Sequence, residues 1–242
     1  MGEIYATTSG KGGVGKSGIA VCLGFAFARL GNQVLLVDMD EGLRCLDLLL
    51  GVDESAVLDL SDALETENIK DIAYGCEEKN LFLIPAPVTV GKIDRERLSV
   101  FALRASELYD VVIFDFPAGL DFSLYTALPK STLFLAVATP DPVSVRDSSA
   151  VGERLSALGL KSRLIINRFD LKEHRKRRLT GIDGIIDTSS MRLLGIVPES
   201  EEINKLSLKH TVKKRGKTGK AFLRIAGRLQ YKNIPLKKLK KI

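Results

Sequence analysis

Residues Gly10-Lys11-Gly12-Gly13-Val14-Gly15-Lys16-Ser17 form a complete G-x-x-x-x-G-K-[ST] pattern, the spacing that wraps backbone amides around a chain of phosphates. Glycines let successive N–H groups turn toward one anion, and the start of a following helix adds the positive end of its dipole. In such a loop Lys16 reaches the β- and γ-phosphates and the Ser17 hydroxyl ligates Mg²⁺. A bland glycine-rich turn is the alternative, and the flanks argue against it. An extended apolar segment, Ile4 to Thr7, leads in, and a helix-suited apolar run, Ile19 to Leu30, leads out.

Hydrolysis requires metal-linked acids and a positioned water as well as bound phosphates. Two apolar segments end in such acids. Val34–Asp38 continues into Met39-Asp40, so Asp38 and Asp40 stand at or just past a strand's carboxyl end. Val111–Asp115 continues into Phe116-Pro117-Ala118-Gly119, with Asp115 after four apolar residues as a Walker-B acid requires. One aspartate at a strand end is commonly a turn former or a helix cap. Two such ends beside a full phosphate loop point to one metal-bearing edge of a sheet.

The elements that must position these groups are legible in the hydrophobic pattern. Short, nearly continuous runs of Val, Ile, Leu and Phe recur at Val34–Asp38, Leu81–Pro85, Val111–Asp115, Thr132–Ala138, Arg163–Asn167 and Leu193–Val197. Runs of this kind suit parallel strands covered on both faces. Between them lie helical stripes such as Leu98, Phe101, Ala102 and Ala105. The pattern predicts an α/β fold: a doubly wound, mostly parallel sheet with helices on both faces and ligands at the carboxyl ends of its strands. With no internal repeat and no Ser/Pro-rich linker, residues 1–231 read as one domain and residues 232–242 as a tail. The last domain helix is expected over Thr218–Gln230, on the face made by Phe222, Ile225, Ala226 and Leu229. Leu171–Ser190, which carries Arg175-Lys176-Arg177-Arg178, reads as a loop and a short helix.

Composition narrows the setting. A hydrophobic share of 45% and a charged share of 27% over 242 residues are those of an ordinary globular protein with a substantial core. Cys22, Cys45 and Cys76 are odd in number and form no C-x-x-C, which argues for a reducing compartment and against a disulfide frame, a zinc site or an iron–sulfur cluster within one chain. His174 and His210 lack metal-ligand spacing and are expected at the surface. No secretory signal or myristoylation signal is visible, and the longest apolar run, Gly18–Ala28, is too short to span a bilayer. The expected location is therefore cytoplasmic. The charge is strongly split: residues 1–160 carry 13 Lys and Arg against 23 Asp and Glu, a net of −10, while residues 161–242 carry 23 against 7, a net of +16. Such a split suits an anionic partner for the C-terminal third.

Lys11 to Ser17 resembles the deviant Walker A loop of the MinD/ParA superfamily, whose hallmark is a second lysine early in the loop, here Lys11. Asp38-Met-Asp-Glu-Gly-Leu-Arg-Cys-Leu-Asp47 resembles the MinD-type switch I, D-x-D-x-G-L-R-N-L-D, where partition ATPases follow the second Asp with Pro-Gln. Asp115-Phe-Pro-Ala-Gly119 resembles switch II, and Ser144-Val-Arg-Asp-Ser148 a MinD-type stretch after the next strand. Ile166-Asn167-Arg168 and Ile196-Val197-Pro198-Glu199 look like the two adenine-side segments. In order over residues 3–230, the chain is identified as a MinD-type member of this superfamily of SIMIBI-type P-loop NTPases.

The resemblance implies an ATPase with ATP and Mg²⁺ as ligands. Gly10 to Gly18 would hold the phosphates, with Lys16 and Ser17 in the roles above. Asp38 and Asp115 would act on the metal's outer shell, and Asp40 would orient the attacking water. Asn167, Arg168, Pro198 and Glu199 would line the base. Lys11 would reach the phosphates of a partner subunit in an ATP-dependent homodimer, as an arginine finger does. Three positions depart from the pattern: Gly18 for a Thr, Cys45 for an Asn, and Phe116 for a small residue.

The tail reads Pro235-Leu-Lys-Lys-Leu-Lys-Lys-Ile242. As a helix it would gather Leu236, Leu239 and Ile242 on one side and four lysines on the other. Though only about two turns long, it is similar in character to the family's lipid-binding segment, so residues 235–242 are expected to bring the ATP-bound protein onto an anionic membrane surface, the inner face of the cell membrane. A division inhibitor or regulator is the expected protein partner. Flagellar placement or DNA partition, and an ATP-binding module without turnover, remain the alternatives.

Overall fold

Apolar runs with no polar face to give to water belong in a sheet covered on both sides, and the chain builds one. The computed structural model describes residues 1–52, 56–119, 121–170, 176 and 181–236. The first half contains β1 (Glu3–Thr8), α1 (Lys16–Arg29), β2 (Val34–Asp38), α2 (Leu46–Leu50), α3 (Leu60–Glu65), α4 (Ile69–Ile72), β3 (Tyr74–Gly75), β4 (Leu81–Ile84), α5 (Arg95–Leu108) and β5 (Val111–Asp115). After a 3₁₀ turn (Tyr125–Ala127) follow β6 (Leu133–Ala138), α6 (Pro142–Ala157), β7 (Lys161–Phe169), α7 (Ile182–Ser189), β8 (Leu193–Pro198), α8 (Glu201–Asn204), α9 (Leu206–Lys209) and α10 (Lys217–Leu229).

Among the described residues the sheet order is β3-β4-β2-β5-β1-β6-β7-β8. Each neighbouring pair runs parallel except the β3–β4 edge, which is antiparallel. Alternate residues of each strand feed two cores. Ile4, Ala6, Leu35, Val37, Val112 and Phe114 face α5 and α6 with Leu98, Phe101 and Val151. Tyr5, Leu36, Ile113 and Leu135 face the opposite core, with Phe25 and Phe27 of α1 and Phe222 and Ile225 of α10. α1 is apolar on nearly every side because it lies between the sheet and α10. α6 starts at Asp141, whose side chain accepts from Ser144 N, with Pro142 at the first helical position.

The expected strands and helices are present with ends shifted by a few residues. β7 is longer than Arg163–Asn167, and the β3 edge carries too little hydrophobic pattern to be foreseen. Of Leu171–Ser190, α7 and Lys176 are described; most of the Arg175–Arg178 cluster and His174 lie outside the described residues. His210 is not the surface residue expected. It is half-buried, with its ring against Gly51 and a buried Nδ1 that has no hydrogen-bond partner. α9 packs on α2, and that contact draws the residue following it inward. Of the tail expected over residues 232–242, residues 237–242 also lie outside the described residues.

Candidate nucleotide and metal site

β1 occupies the middle of the sheet, and the order reverses there: β5 lies on one side and β6 on the other. A crevice opens at such a switch point, beyond the carboxyl ends of the strands. The turn from β1 into α1 fills it. Gly13 and Gly15 take φ of 79° and 88°, a region that side chains strongly disfavour. No atom lies near where Cβ atoms would stand on Gly12 and Gly13, so the loop is an open cradle. α1 begins after Gly15 with no side-chain cap and no acid in its first turn. Its first amide groups therefore face the cradle, which suits an anion. The cleft measures about 400 Å³ and is lined by the loop with Asp40, Leu43, Pro117 and Ala118.

Neighbouring elements hold the loop in shape. Asn167, at the end of β7, is buried and donates from Nδ2 to Val14 O at 2.8 Å. A Cβ on Gly15 would stand 2.5 Å from that same nitrogen. Gly10 lies against the backbone of Asp147 in α6, where a Cβ would come within 2.6 Å of its carbonyl oxygen. This contact accounts for the Ser144–Ser148 stretch beside a phosphate loop. Gly119 N donates to Ser9 O at 2.9 Å and joins the end of β5 to the same turn.

The acids converge through strand register. Asp38 of β2 pairs with Asp115 of β5, and Asp115 in turn with Thr7 of β1. Lys16 Nζ lies 2.8 Å from Asp115 Oδ1 and 3.3 Å from Ser17 Oγ. The Thr7 hydroxyl donates to the same Asp115 oxygen. Asp115 Oδ2 is buried without a partner. An orphaned carboxylate oxygen and a serine hydroxyl, on two residues that both contact Lys16, are oxygen donors of the kind a hard cation and its waters take, so the residues fit Mg²⁺.

Asp38 is engaged differently. Its Oδ1 accepts from Asp40 N at 3.0 Å, and its Oδ2 from Cys45 N and Leu46 N, each at 3.0 Å. It therefore ties residues 39–45 to the sheet and caps the start of α2. Burial, followed by the charge of Asp115, pushes its carboxyl up to about 7. Asp40 is half-buried at the cleft mouth, and burial raises its carboxyl as well. Lys11 is exposed on the rim.

Of the base-side residues, Asn167 touches the loop. Arg168 is exposed, with φ of 53°. Pro198 is buried at the carboxyl end of β8, and the exposed Glu199 accepts from Asn204 at 3.2 Å. Sequence reasoning missed Thr7 and Glu41. The Glu41 carboxylate accepts from the backbone of Gly91, Lys92 and Ile93 at 3.0, 2.7 and 2.9 Å. These partners lie some fifty residues away, and no local signal points to them.

Each departure from the family pattern has a structural setting. A Cβ on Gly18 would lie 3.0 Å from Ile203 Cγ2 of α8, a tight contact with the end of that side chain. Cys45 Sγ lies 3.5 Å from Ser17 Oγ, and burial pushes the thiol up to about 11. Phe116 is buried against Tyr125, ring centres 4.4 Å apart, and Tyr125 stacks on Phe134. The Tyr125 hydroxyl is 2.7 Å from Thr8 Oγ1, so the added bulk belongs to an aromatic cluster beneath the loop.

The profile of the CobQ/CobB/MinD/ParA nucleotide binding domain matches residues 5–212. The chain belongs to this family. It is a P-loop ATPase with ATP as its nucleotide and Mg²⁺ as its metal. A septum site-determining protein MinD of Synechocystis sp. is 35% identical over 97% of this chain and 92% of its own length. The Bacillus subtilis MinD is 32% identical over 99% and 93%. Among solved structures, the Aquifex aeolicus MinC:MinD cell division protein complex superposes with a TM-score of 0.86 at 28% identity, covering 98% of this chain and 99% of that one. The Pyrococcus horikoshii MinD complexed with Mg-ADP gives 0.81 at 28% identity, covering 95% and 96%. The full-length agreement runs with the MinD branch of the CobQ/CobB/MinD/ParA family.

Proposed function

We propose that this chain is a nucleotide-gated membrane switch that takes part in placing the division site. The observation that carries the reading is a complete phosphate cradle with a second lysine, Lys11, exposed at its rim, in a chain similar to MinD along its whole length. The loop amides and Lys16 hold the β- and γ-phosphates. Ser17 would hold Mg²⁺, with Asp115 at its outer shell, and the ion when bound would neutralise charge on the phosphate oxygens. Asp40, at the cleft mouth, accepts a hydrogen bond from the attacking water. Lys11 of a second copy supplies the cation that meets the charge developing on the transferred phosphoryl group. Hydrolysis thus requires the dimer, and the dimer requires ATP.

Dimerisation also doubles the number of tails. One short basic tail binds a membrane marginally, and two bound together gain avidity. ATP therefore sets membrane residence, and hydrolysis ends it. Among the described residues no helix is long and apolar enough to cross a membrane. Attachment from the cytoplasmic side through residues 235–242 needs no such span. The Aquifex aeolicus relative was solved as a MinC:MinD complex, and a division inhibitor is accordingly the proposed partner.

Sedimentation with anionic liposomes tests the reading, comparing the full chain with one truncated after Tyr231 in ATP and in ADP. Binding that needs both ATP and the tail is expected. Lipid binding that is absent or independent of the tail would overturn the membrane switch, and ATP-dependent, salt-sensitive retention on DNA would replace it with a partition role.

A further inference from the structure

One face of α10 carries a column of like charge. Lys220, Arg224 and Arg228 recur at four-residue spacing, and Arg215 stands just before the helix. Like charges at this spacing repel one another, and Arg228 is held below its usual range by burial and by Arg224. Backbone carbonyls satisfy the donors of Arg228. Its guanidinium donates to Ile234 O, Leu194 O and Pro235 O at 2.7, 2.8 and 2.8 Å. Among the described residues, the side chains of Arg215, Lys220 and Arg224 make no ion pair or hydrogen bond.

These cations line a cleft of about 160 Å³ between α10 and β8, the edge strand, over a floor that includes Ile196 and Ile225. Leu236 lines the same cleft. Arg228 clamps Ile234 and Pro235 beside it, and the sequence after Leu236 reads Lys237-Lys238-Leu239-Lys240-Lys241-Ile242.

We propose that this cleft is a headgroup site: Arg215, Lys220 and Arg224 receive the phosphate of an anionic phospholipid. The proposal rests on the membrane reading above and adds to it a second contact, which holds the domain against the leaflet in one orientation. Continuity with the tail argues for this occupant. Leu236 lines the cleft, and the tail lysines follow it directly in the sequence. Wherever the start of the tail meets anionic headgroups, the cleft meets them too. The apolar floor suits the glycerol and upper acyl carbons of a lipid and offers nothing to a polynucleotide backbone.

The test uses the full chain with ATP and vesicles of phosphatidylcholine containing graded phosphatidylglycerol. K220Q/R224Q removes two charges from the cleft, and K70Q/K130Q removes two exposed charges elsewhere. With each basic residue near an anionic leaflet worth about five-fold in binding, K220Q/R224Q is expected to weaken vesicle binding by roughly thirty-fold for each subunit that contacts the leaflet. K70Q/K130Q should leave it unchanged, and ATP turnover and thermal midpoint should match wild type for both. Equal binding by K220Q/R224Q and wild type, or equal losses in both pairs, would overturn the proposal while leaving the membrane reading intact. No vesicle binding by the wild-type chain would overturn the membrane reading and this site with it. Loss of duplex-DNA retention by K220Q/R224Q with vesicle binding unchanged would assign the cleft to a polynucleotide and also overturn it.

Discussion

Asp38 and Asp115 are register partners on adjacent strands, both fully buried, and Lys16 pairs with one of them. Two carboxylates with one nearby cation in a dry site do not both ionise freely, and the strain falls on Asp38, raised to about 7 by burial and then by Asp115. An ordinary unfolded aspartate titrates near 3.9. Between these values the folded chain holds a proton that the unfolded chain has lost. The Asp38 contribution to stability is therefore fully present below about pH 4, falls as pH rises toward 7, and levels off above it. Urea unfolding of the protein without nucleotide or Mg²⁺, from pH 4 to 8, should show this fall in the difference between wild type and Asp38→Asn. A difference that stays flat across the window would refute it. Below about pH 4, Asp38→Asn should lower stability by about 1–3 kcal/mol, because an amide nitrogen would face one of the three backbone N–H groups that the carboxyl oxygens now accept from.

At the scale of elements, the relation between α1 and α8 explains a substitution that the motif alone leaves odd. Gly18 lacks the hydroxyl of the family's usual Thr, and Ile203 occupies the space that side chain would need. Gly18→Thr alone should destabilise the fold by about 1–3 kcal/mol through overpacking. Ile203→Ala in the same chain should return part of that loss, with a coupling of about 0.5–3 kcal/mol in a double-mutant cycle. Strictly additive costs would show that α8 does not press on this position. Tight ADP binding by the double variant would further show that a hydroxyl at position 18 reaches the phosphates. Phe116 illustrates the converse. Its bulk looked awkward within switch II, yet it packs on Tyr125 and Phe134 in a core that sequence reading had not assembled.

For the whole molecule, Lys16 pairs with Asp115 inside the cleft, while Lys11 lines its exposed rim. If a second copy supplies Lys11 as a further cation, ATP turnover per molecule should rise with protein concentration and plateau once dimers dominate. Lys11→Ala should hold turnover low at all concentrations, by about 10³-fold if it acts as arginine fingers do, while ATP binding persists. Turnover per molecule that is independent of concentration would refute the trans role.

The sequence alone determined the phosphate loop, the strand-end acids Asp38, Asp40 and Asp115, the α/β class and the family. Each of these rests on local physics: loop dihedrals over a few glycines, the period of a strand or helix, an acid placed where a strand stops. Tertiary structure decided which of these groups meet. Lys16 pairs with Asp115 across 99 residues, and Asn167 braces Val14 across 153. The clamp of Glu41 on residues 91–93, the contact of Ile203 with Gly18 and the Arg228 grip on the tail root belong to the same class. Hydrophobic patterning says that a strand is buried and leaves its neighbours undetermined. Those contacts exist because β1 came to lie between β5 and β6, and β8 at the edge beside α10.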